Sequence, residues 1–294
     1  MTARRSWFGV LPAWLVIGIF GVMPMLIMLA VSFMVQDPYG GVEWAYSHDA
    51  YIQLLWERDL DDSLVFNPIY LNILGRSVML AAATTVISLI VGFPVAYFIA
   101  RQPPARRNIC ILLITIPFWT NLLVRTYAWI LILTRNGLID TRLQAFGFPA
   151  GTFDLLYTNT AIFIGLVYSY LPFMVLPLYA SLEKLDFRLV EAASDLYAGK
   201  WRIARYVIVP LALPGIVAGS LLVFVPSIGA FIAPDLLGGG KRLMLGSLIQ
   251  YQFASARNWP FGAAVSIVLM AFVMLALIVY ARAGKGQGLP AGGH

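Results

Sequence analysis

The residues whose types and spacing could support specific chemistry are charged, and they lie between two highly apolar segments. The stretch VEAASDLYAGKWRIARYVIVPLALPG (residues 190–215) contains Glu191, Asp195, Lys200, Arg202 and Arg205. A short charged helix, a break and a second helix at such a place form a protrusion that could transmit force from a soluble partner into the neighbouring segments. The alternative is an interfacial helix that only anchors a loop to the membrane surface.

Apolar residues at three- and four-residue spacing predict the first of these two helices. Leu185, Leu189, Ala192, Ala193 and Leu196 form one stripe, and the charged residues fall mostly elsewhere on the helical wheel. Asp186 is the predicted N-cap of this helix. The break is expected near residues 197–199, and a second amphipathic stretch continues to Pro210.

The elements that position this stretch are membrane helices. The chain has 294 residues, of which 60% are hydrophobic and only 12% charged, whereas soluble domains carry roughly a quarter charged residues. A helix needs about 20 mostly apolar residues to cross the hydrocarbon core. The fold class is therefore an all-α, polytopic membrane protein with about six transmembrane helices in a single domain, residues 1–294. The predicted spans are residues 8–34, 71–100, 108–134, 158–181, 210–233 and 259–282, with an inner loop at 183–209.

The distribution of charge between the spans predicts their orientation. With a cytosolic N-terminus, the inner segments hold twelve basic and four acidic residues, and the outer segments hold seven basic and ten acidic residues. This bias agrees with the positive-inside rule, so both termini are expected in the cytosol. The first uncharged run is far too long for a signal peptide, which predicts a retained span, with an interfacial helix around residues 7–14.

The inner loop resembles the EAA loop of ABC-importer permeases, in which Glu-Ala-Ala is followed by a glycine and a later Leu-Pro ending. The spermidine/putrescine (PotB-type) polyamine permeases are similar over further blocks: PFWTN, GLVYSYLPFMVLPLYASLEKLD, PGIVAGSLLVFVPSIGAF, DLLGG and NWPFGAA. The resemblance implies a type I ABC importer permease fold. It also implies that residues 183–209, named here the coupling loop, seat in a cleft of an ATPase subunit. The coupling residues it implies are Glu191, Ala192, Ala193, Asp195, Leu196 and Gly199.

One residue departs from the family pattern. The usual glycine, six residues after the glutamate, is Tyr197 here, and Gly199 is expected to supply the turn two residues later.

The resemblance also implies a function and a set of partners. The chain is expected to be the non-catalytic membrane subunit of an ATP-driven polyamine importer in a bacterial inner membrane. It lacks the G-x-x-x-x-G-K-[ST] phosphate loop, so ATP and Mg²⁺ are expected on a partner and no cofactor on this chain. The implied partners are a second, homologous permease subunit, two ATP-binding cassette subunits and an external substrate-binding protein.

A polyamine path needs aromatic faces for cation–π contact and a few acidic or hydroxyl groups. The candidates are Trp119, Tyr127, Tyr168, Phe231 and Asp235, with Trp129, Tyr170 and Phe224 also weighed. Ordinary helix packing is the alternative for each aromatic residue, and helix capping is the alternative for Asp235.

Three prolines, Pro172, Pro177 and Pro226, together with Gly229, are expected to interrupt the fourth and fifth helices or to kink them.

Arg125 is an intramembrane charge that would repel a cationic substrate from such a path. It is expected to be structural, either snorkelling or paired with a carboxylate or with backbone carbonyls.

Other functions remain open from the residues alone. The chain could be an ABC permease for another small solute, such as an opine, an amino acid or a metal complex. A stand-alone secondary transporter fits less well, because intramembrane acids are sparse. Neither catalytic residues nor metal ligands are predicted, since Cys110 is single and His48 and His294 are far apart in the sequence.

Overall fold

A computed structural model of the chain describes residues 14–58, 61, 63–149, 151 and 154–285. The start of the predicted first span and most of the predicted interfacial helix lie outside these residues. The described chain divides into two compact units. One comprises the residues up to Asn72 together with those from Leu248 onward, and the other comprises Ile73–Ser247.

Six helices of the described chain are long and apolar enough to cross a membrane. In chain order the elements are α1 (Trp14–Val31), β1 (Met34–Gln36), β2 (Val42–Tyr46), α2 (Asp49–Ile52), β3 (Trp56–Arg58), β4 (Leu64–Phe66), α3 (Ile69–Ala100), α4 (Pro104–Trp119), α5 (Leu122–Leu133), α6 (Leu138–Ala145), α7 (Asn159–Leu182), α8 (Arg188–Asp195), α9 (Lys200–Ile228), α10 (Ile232–Gly238), α11 (Leu245–Ala254) and α12 (Trp259–Lys285).

In the first unit, α1 packs along α12, and the acidic segment after α1 is ordered by two short antiparallel hairpins. Strand β1 pairs with β2, with a bulge between Met34 and Val35, and β3 pairs with β4. Phe33 stacks on Tyr46 at 5.9 Å and contacts Tyr51 at 5.0 Å between ring centroids. The hairpins and these ring contacts together give the segment between α1 and α3 a defined structure.

The second unit is built on the close packing of α7 against α9. A Cβ atom added at Gly215 would lie 2.5 Å from the carbonyl oxygen of Pro177, and one at Gly219 would lie 2.8 Å from the sulfur of Met174. Small residues at these two positions therefore let the two helices approach, as is common between membrane helices. The main buried cluster around them includes Ile99, Leu178, Leu182, Ile203 and Val223.

The predicted third span is divided into two helices. Helix α4 ends at Trp119, two residues after Pro117, and α5 begins at Leu122. The side chain of Asn121 accepts a hydrogen bond from the Leu123 N–H at 2.8 Å. Asparagine is a strong N-cap residue, so it restarts the helix immediately after the break.

The fifth helix begins ten residues before its predicted start and ends five residues before its predicted end. It passes through Pro210 because a π-turn at Ala204–Ile208 comes directly before this proline. The wider turn accommodates a residue that cannot donate the usual backbone hydrogen bond. Helix α7 likewise continues through Pro172 and Pro177, so these prolines do not interrupt the fourth helix, which was one of the two alternatives.

Candidate functional site: the coupling loop and an aromatic cavity

The first helix of the coupling loop is fixed at its start by a carboxylate. The Asp186 side chain accepts a hydrogen bond from the Arg188 N–H at 3.0 Å, although the N-cap position of α8 is Phe187, one residue after the predicted Asp186. Three residues before Asp186, α7 passes into the loop at Glu183, and the Glu183 carboxylate pairs with Arg107 of α4 at 3.0 Å. The loop is thus held against α4 before α8 begins.

The turn after α8 forms around Tyr197 and not around Gly199. Tyr197 has a φ of +56°, whereas Gly199 has a φ of −63° and precedes α9 in an extended conformation. The Ala198 N–H donates to the Ala193 carbonyl at 3.1 Å and the Tyr197 N–H to the Ser194 carbonyl at 3.0 Å. These two bonds define a Schellman motif, which requires the left-handed residue one position beyond the cap. The expectation that Gly199 supplies the turn is therefore wrong.

The face of α8 that packs inward differs from the predicted apolar stripe. Phe187, Val190 and Ala193 pack against the buried cluster, whereas Leu189 and Leu196 are 50% and 81% exposed. Two members of the predicted stripe do face inward, since Leu185 is buried and Ala193 packs against the cluster, but its other leucines do not. As a result, apolar side chains lie exposed.

These exposed apolar side chains share their surface with acidic ones. Glu191, Ala192 and Asp195 are exposed on α8, and exposed aromatic residues follow at Tyr197 and Trp201. A mixed surface of this kind is typical of a protein contact, because contiguous exposed apolar side chains are uncommon without a partner. The predicted coupling residues Glu191, Ala192, Asp195 and Leu196 are thus brought together, and Ala193 supports them from the inner face.

The second group of candidate residues lies near a cavity of about 270 Å³. The cavity is enclosed by α4, α5, α7 and the segment that joins α9 to α10. Its lining is mostly apolar and aromatic, and it consists of Phe118, Leu122, Arg125, Leu166, Ser169, Tyr170, Phe173, Gly229, Ala230, Phe231, Ile232 and Ala233.

Of the five candidate path residues, Phe231 lines this cavity, and so does Tyr170, which was weighed beside them. Trp119 is the last residue of α4 and is 85% exposed, and Tyr127 on α5 is 54% exposed. Tyr168 makes an edge-to-face contact with Trp129 at 5.5 Å between ring centroids. Asp235 is exposed in the first turn of α10.

The capping alternative for Asp235 is not what the structure shows. Helix α10 begins at Ile232, its N-cap position is Phe231, and no side chain of a described residue caps it. Asp235 follows too late in the helix to occupy the cap. The Asp235 carboxylate therefore lies on the surface, where its negative charge can attract a cation.

Sequence reasoning missed two aromatic residues of the cavity, Phe118 and Phe173. Their rings meet edge-to-face with centroids 5.1 Å apart. Phe118 stands in the same PFWTN block as Trp119, but the phase of α4 turns Phe118 toward the cavity. The break after α4 was the signal that could have fixed this phase.

Arg125 lines the cavity, and pairing with a carboxylate or a backbone carbonyl, one of its two expected arrangements, is not seen at its Nε or Nη1. Its Nε and Nη1 atoms are buried, and neither has a hydrogen-bond partner among the described residues. Tyr170, on the opposite wall, donates its hydroxyl hydrogen to the Pro226 carbonyl at 3.2 Å.

Comparison with known proteins shows which protein family this architecture belongs to. Residues 88–286 match the family of binding-protein-dependent transport system inner membrane components. The spermidine/putrescine transport system permease protein PotB of Haemophilus influenzae is 40% identical over 273 residues, which is 93% of this chain and 91% of that protein. PotB of Escherichia coli is 40% identical over 272 residues, covering 92% of this chain and 94% of that protein.

A solved structure shares the fold. A bacterial alginate ABC transporter, in complex with an alginate pentasaccharide-bound periplasmic protein, superposes with a TM-score of 0.66 at 16% identity, covering 94% of this chain and 93% of that one. The helical membrane architecture and the match over most of the chain agree with the predicted permease fold. The chain belongs to the family of binding-protein-dependent transport system inner membrane components, and it is similar to the PotB-type permeases of ABC importers.

Proposed function

We propose that this chain is the permease subunit of an ATP-driven importer of polyamines and that it forms part of their path across the membrane. The observation that carries the proposal is the identity of 40% with two spermidine/putrescine permeases over more than nine tenths of their length.

The chemistry of the cavity supports a substrate of this class. A polyamine alternates methylene groups with ammonium groups, and aromatic faces bind both by apolar contact and by cation–π attraction. Phe118, Tyr170, Phe173 and Phe231 offer such faces around one space. The exposed carboxylate of Asp235, on the helix that follows Phe231, can attract a cation toward it.

The partners follow from the coupling loop. We place the exposed face of α8, with Glu191 and Leu196, in contact with one of two cytosolic ATPase subunits that bind ATP and Mg²⁺. A second permease would complete the membrane path, and an external binding protein would deliver the substrate. Both chain termini lie in the cytosol in this arrangement, and this chain itself binds no cofactor and hydrolyses nothing.

Helix α9 supplies the mechanical connection between the two sites. It runs without a break from Lys200 in the coupling loop to Ile228, and the next residue, Gly229, lines the cavity. When ATP closes the ATPase pair, the coupling loop moves with it, and α9 carries that displacement to the cavity. The importer thereby alternates between two states whose populations are set by a remote ligand.

Uptake by reconstituted vesicles tests the proposal. The full complex is placed in proteoliposomes with ATP on the side of the ATPase subunits, and radiolabelled spermidine or putrescine is added with the binding protein on the other side. ATP-dependent, saturable uptake is expected, and an excess of an unlabelled amino acid, opine or metal complex should leave it unchanged. Competition by one of those solutes would assign a different substrate, and uptake by this chain alone without ATP would indicate a secondary transporter.

A further inference from the structure

The Nε and Nη1 groups of the Arg125 guanidinium face a mostly apolar space and have no acceptor among the described residues. The side chain projects from the first turn of α5 into the cavity of about 270 Å³, between Phe118, Tyr170 and Phe173. Its Nε and Nη1 are buried without a hydrogen bond to any described residue. A buried charge is stable only when it is paired and its hydrogen-bond donors are satisfied.

The chain has little with which to pair this charge. None of the apolar helices α1, α3, α4, α5, α7, α9 and α12 contains an aspartate or a glutamate. Asp140 of α6 is engaged elsewhere, since it accepts hydrogen bonds from the backbone N–H groups of Asn136 and Gly151 at 3.0 Å and from the Gln144 side chain at 3.1 Å. Asp235 makes no ion pair with Arg125.

The acyl chains and the substrate do not supply a counter-charge either, and water, which can accept hydrogen bonds from the guanidinium, does not neutralise it. Lipid acyl chains carry no hydrogen-bond acceptor, and a polyamine carries only cations. A carboxylate from a neighbouring polypeptide is the remaining group that would neutralise the charge and accept from a planar guanidinium through two hydrogen bonds.

We propose that Arg125 forms an ion pair within the membrane with an aspartate or glutamate carried by an apolar helix of the second permease subunit. This inference rests on the proposed function, which supplies that subunit. The pair would join the two permeases at the aromatic cavity. It would also remove from the polyamine path the repulsion that a free guanidinium exerts.

The test uses the intact complex, purified in lipid nanodiscs through a tag on the second permease. Arg125→Met should reduce the amount of this chain that is retained by roughly tenfold or more, because it leaves the partner carboxylate buried and unpaired. Arg125→Lys should retain an intermediate amount, since an ammonium keeps the charge without the bidentate geometry. Arg76→Met is the matched control. Arg76 also lies in an apolar helix, but it donates to the Leu243 carbonyl of its own chain at 3.4 Å, so its replacement should leave retention unchanged.

The acceptor is then located by rescue. Each aspartate and glutamate in the apolar helices of the second permease is replaced by leucine in the Arg125→Met background. Replacement at one position should restore retention to near the wild-type amount. Exchanging both partners of a buried ion pair for apolar side chains is often neutral, whereas removing one partner leaves the other charge buried and unpaired. Asp235→Leu is tested in the same background.

Three results would overturn the inference. These are normal retention of Arg125→Met, the absence of any rescuing position in the second permease, and rescue by Asp235→Leu, which would place the acceptor in this chain. Failure of the proposed function looks different, because the wild-type complex would then lack a second permease or would not import polyamines.

Discussion

The Arg107 guanidinium of α4 lies 3.0 Å from the Glu183 carboxylate, at the residue where α7 passes into the coupling loop. This ion pair joins the N-terminal end of one half of the third span to the loop that is proposed to contact the ATPase. The two side chains are 25% and 38% exposed, so water screens their attraction in part. The pair positions the loop more than it stabilises the fold.

Replacement of Arg107 should therefore affect coupling more than stability. We expect Arg107→Gln to lower the free energy of unfolding by only about 0.5–1 kcal/mol and to reduce the uptake driven by each ATP hydrolysed. Arg106→Gln is the matched control, since Arg106 is an exposed neighbour on the same turn. Restored coupling in the double variant Arg107→Glu, Glu183→Arg would support the ion pair. Equal uptake per ATP hydrolysed in Arg107→Gln and Arg106→Gln would contradict it.

Glu191 should contribute to association with the ATPase. A charge-assisted hydrogen bond at such an interface is worth about 1.5–3 kcal/mol, so Glu191→Ala or Glu191→Lys should weaken ATPase co-purification by roughly tenfold or more. Membrane insertion should be unchanged, as judged by the amount of chain in washed membranes. Lys184→Ala, also exposed but before α8, serves as control. Normal ATP-driven uptake by both Glu191 variants would exclude this surface from coupling.

Tyr197 is strained by its left-handed backbone, and glycine should relieve that strain. The gain, offset by the greater chain entropy of glycine, is expected to be about 0.5–1 kcal/mol in unfolding free energy for Tyr197→Gly. The side chain is 97% exposed, so little packing is lost. Gly199→Ala is the control, because its φ is already −63° and an added Cβ would contact nothing within 4 Å. Thermal unfolding in detergent measures both, and a less stable Tyr197→Gly variant would contradict the assignment of strain.

Asp235 should act through its charge, since it is not the cap of α10. We expect Asp235→Asn and Asp235→Ala to reduce polyamine uptake to a similar extent, with the complex intact and its basal ATPase activity retained. Initial uptake rates at several salt concentrations give the measurement, because screening should diminish the advantage of the wild-type carboxylate. An Asn variant with full uptake beside an unstable Ala variant would show that the side chain serves the helix instead.

Phe231 and Trp119 should differ, because only Phe231 lines the cavity. Phe231 is 44% exposed, so loss of its cation–π contact should cost about 0.5–1 kcal/mol, and Phe231→Leu should weaken polyamine transport by roughly two- to fivefold at equal expression. Polyamine uptake should fall from wild type to Trp119→Phe and then to Trp119→Leu only if the path extends to this exposed ring. Equal uptake by Trp119→Phe and Trp119→Leu would remove Trp119 from the path, and full uptake by Phe231→Leu would do the same for the cavity.

The sequence predicted the six membrane-crossing helices because long apolar runs report directly on the lipid environment. It could not predict which face of α8 turns inward, since Leu189 and Val190 are equally apolar and only the cap geometry and the core beneath them choose between the two. The turn at Tyr197 was also beyond reach, because a tyrosine carries no preference for a left-handed backbone. The cavity depends on contacts between Phe118 and Phe173, which are far apart in the chain.

The division of the third span has a consequence for how the protein is made. Helix α4 has 16 residues and α5 has 12, which correspond to about 24 and 18 Å of helix, against a hydrocarbon thickness of roughly 30 Å. Helix α4 alone is too short to leave the translocon as a stable span, whereas α5 reaches a spanning length together with α6, over Leu122–Ala145. Stable integration of α4 is therefore expected to depend on its packing against α7, which the ribosome releases later.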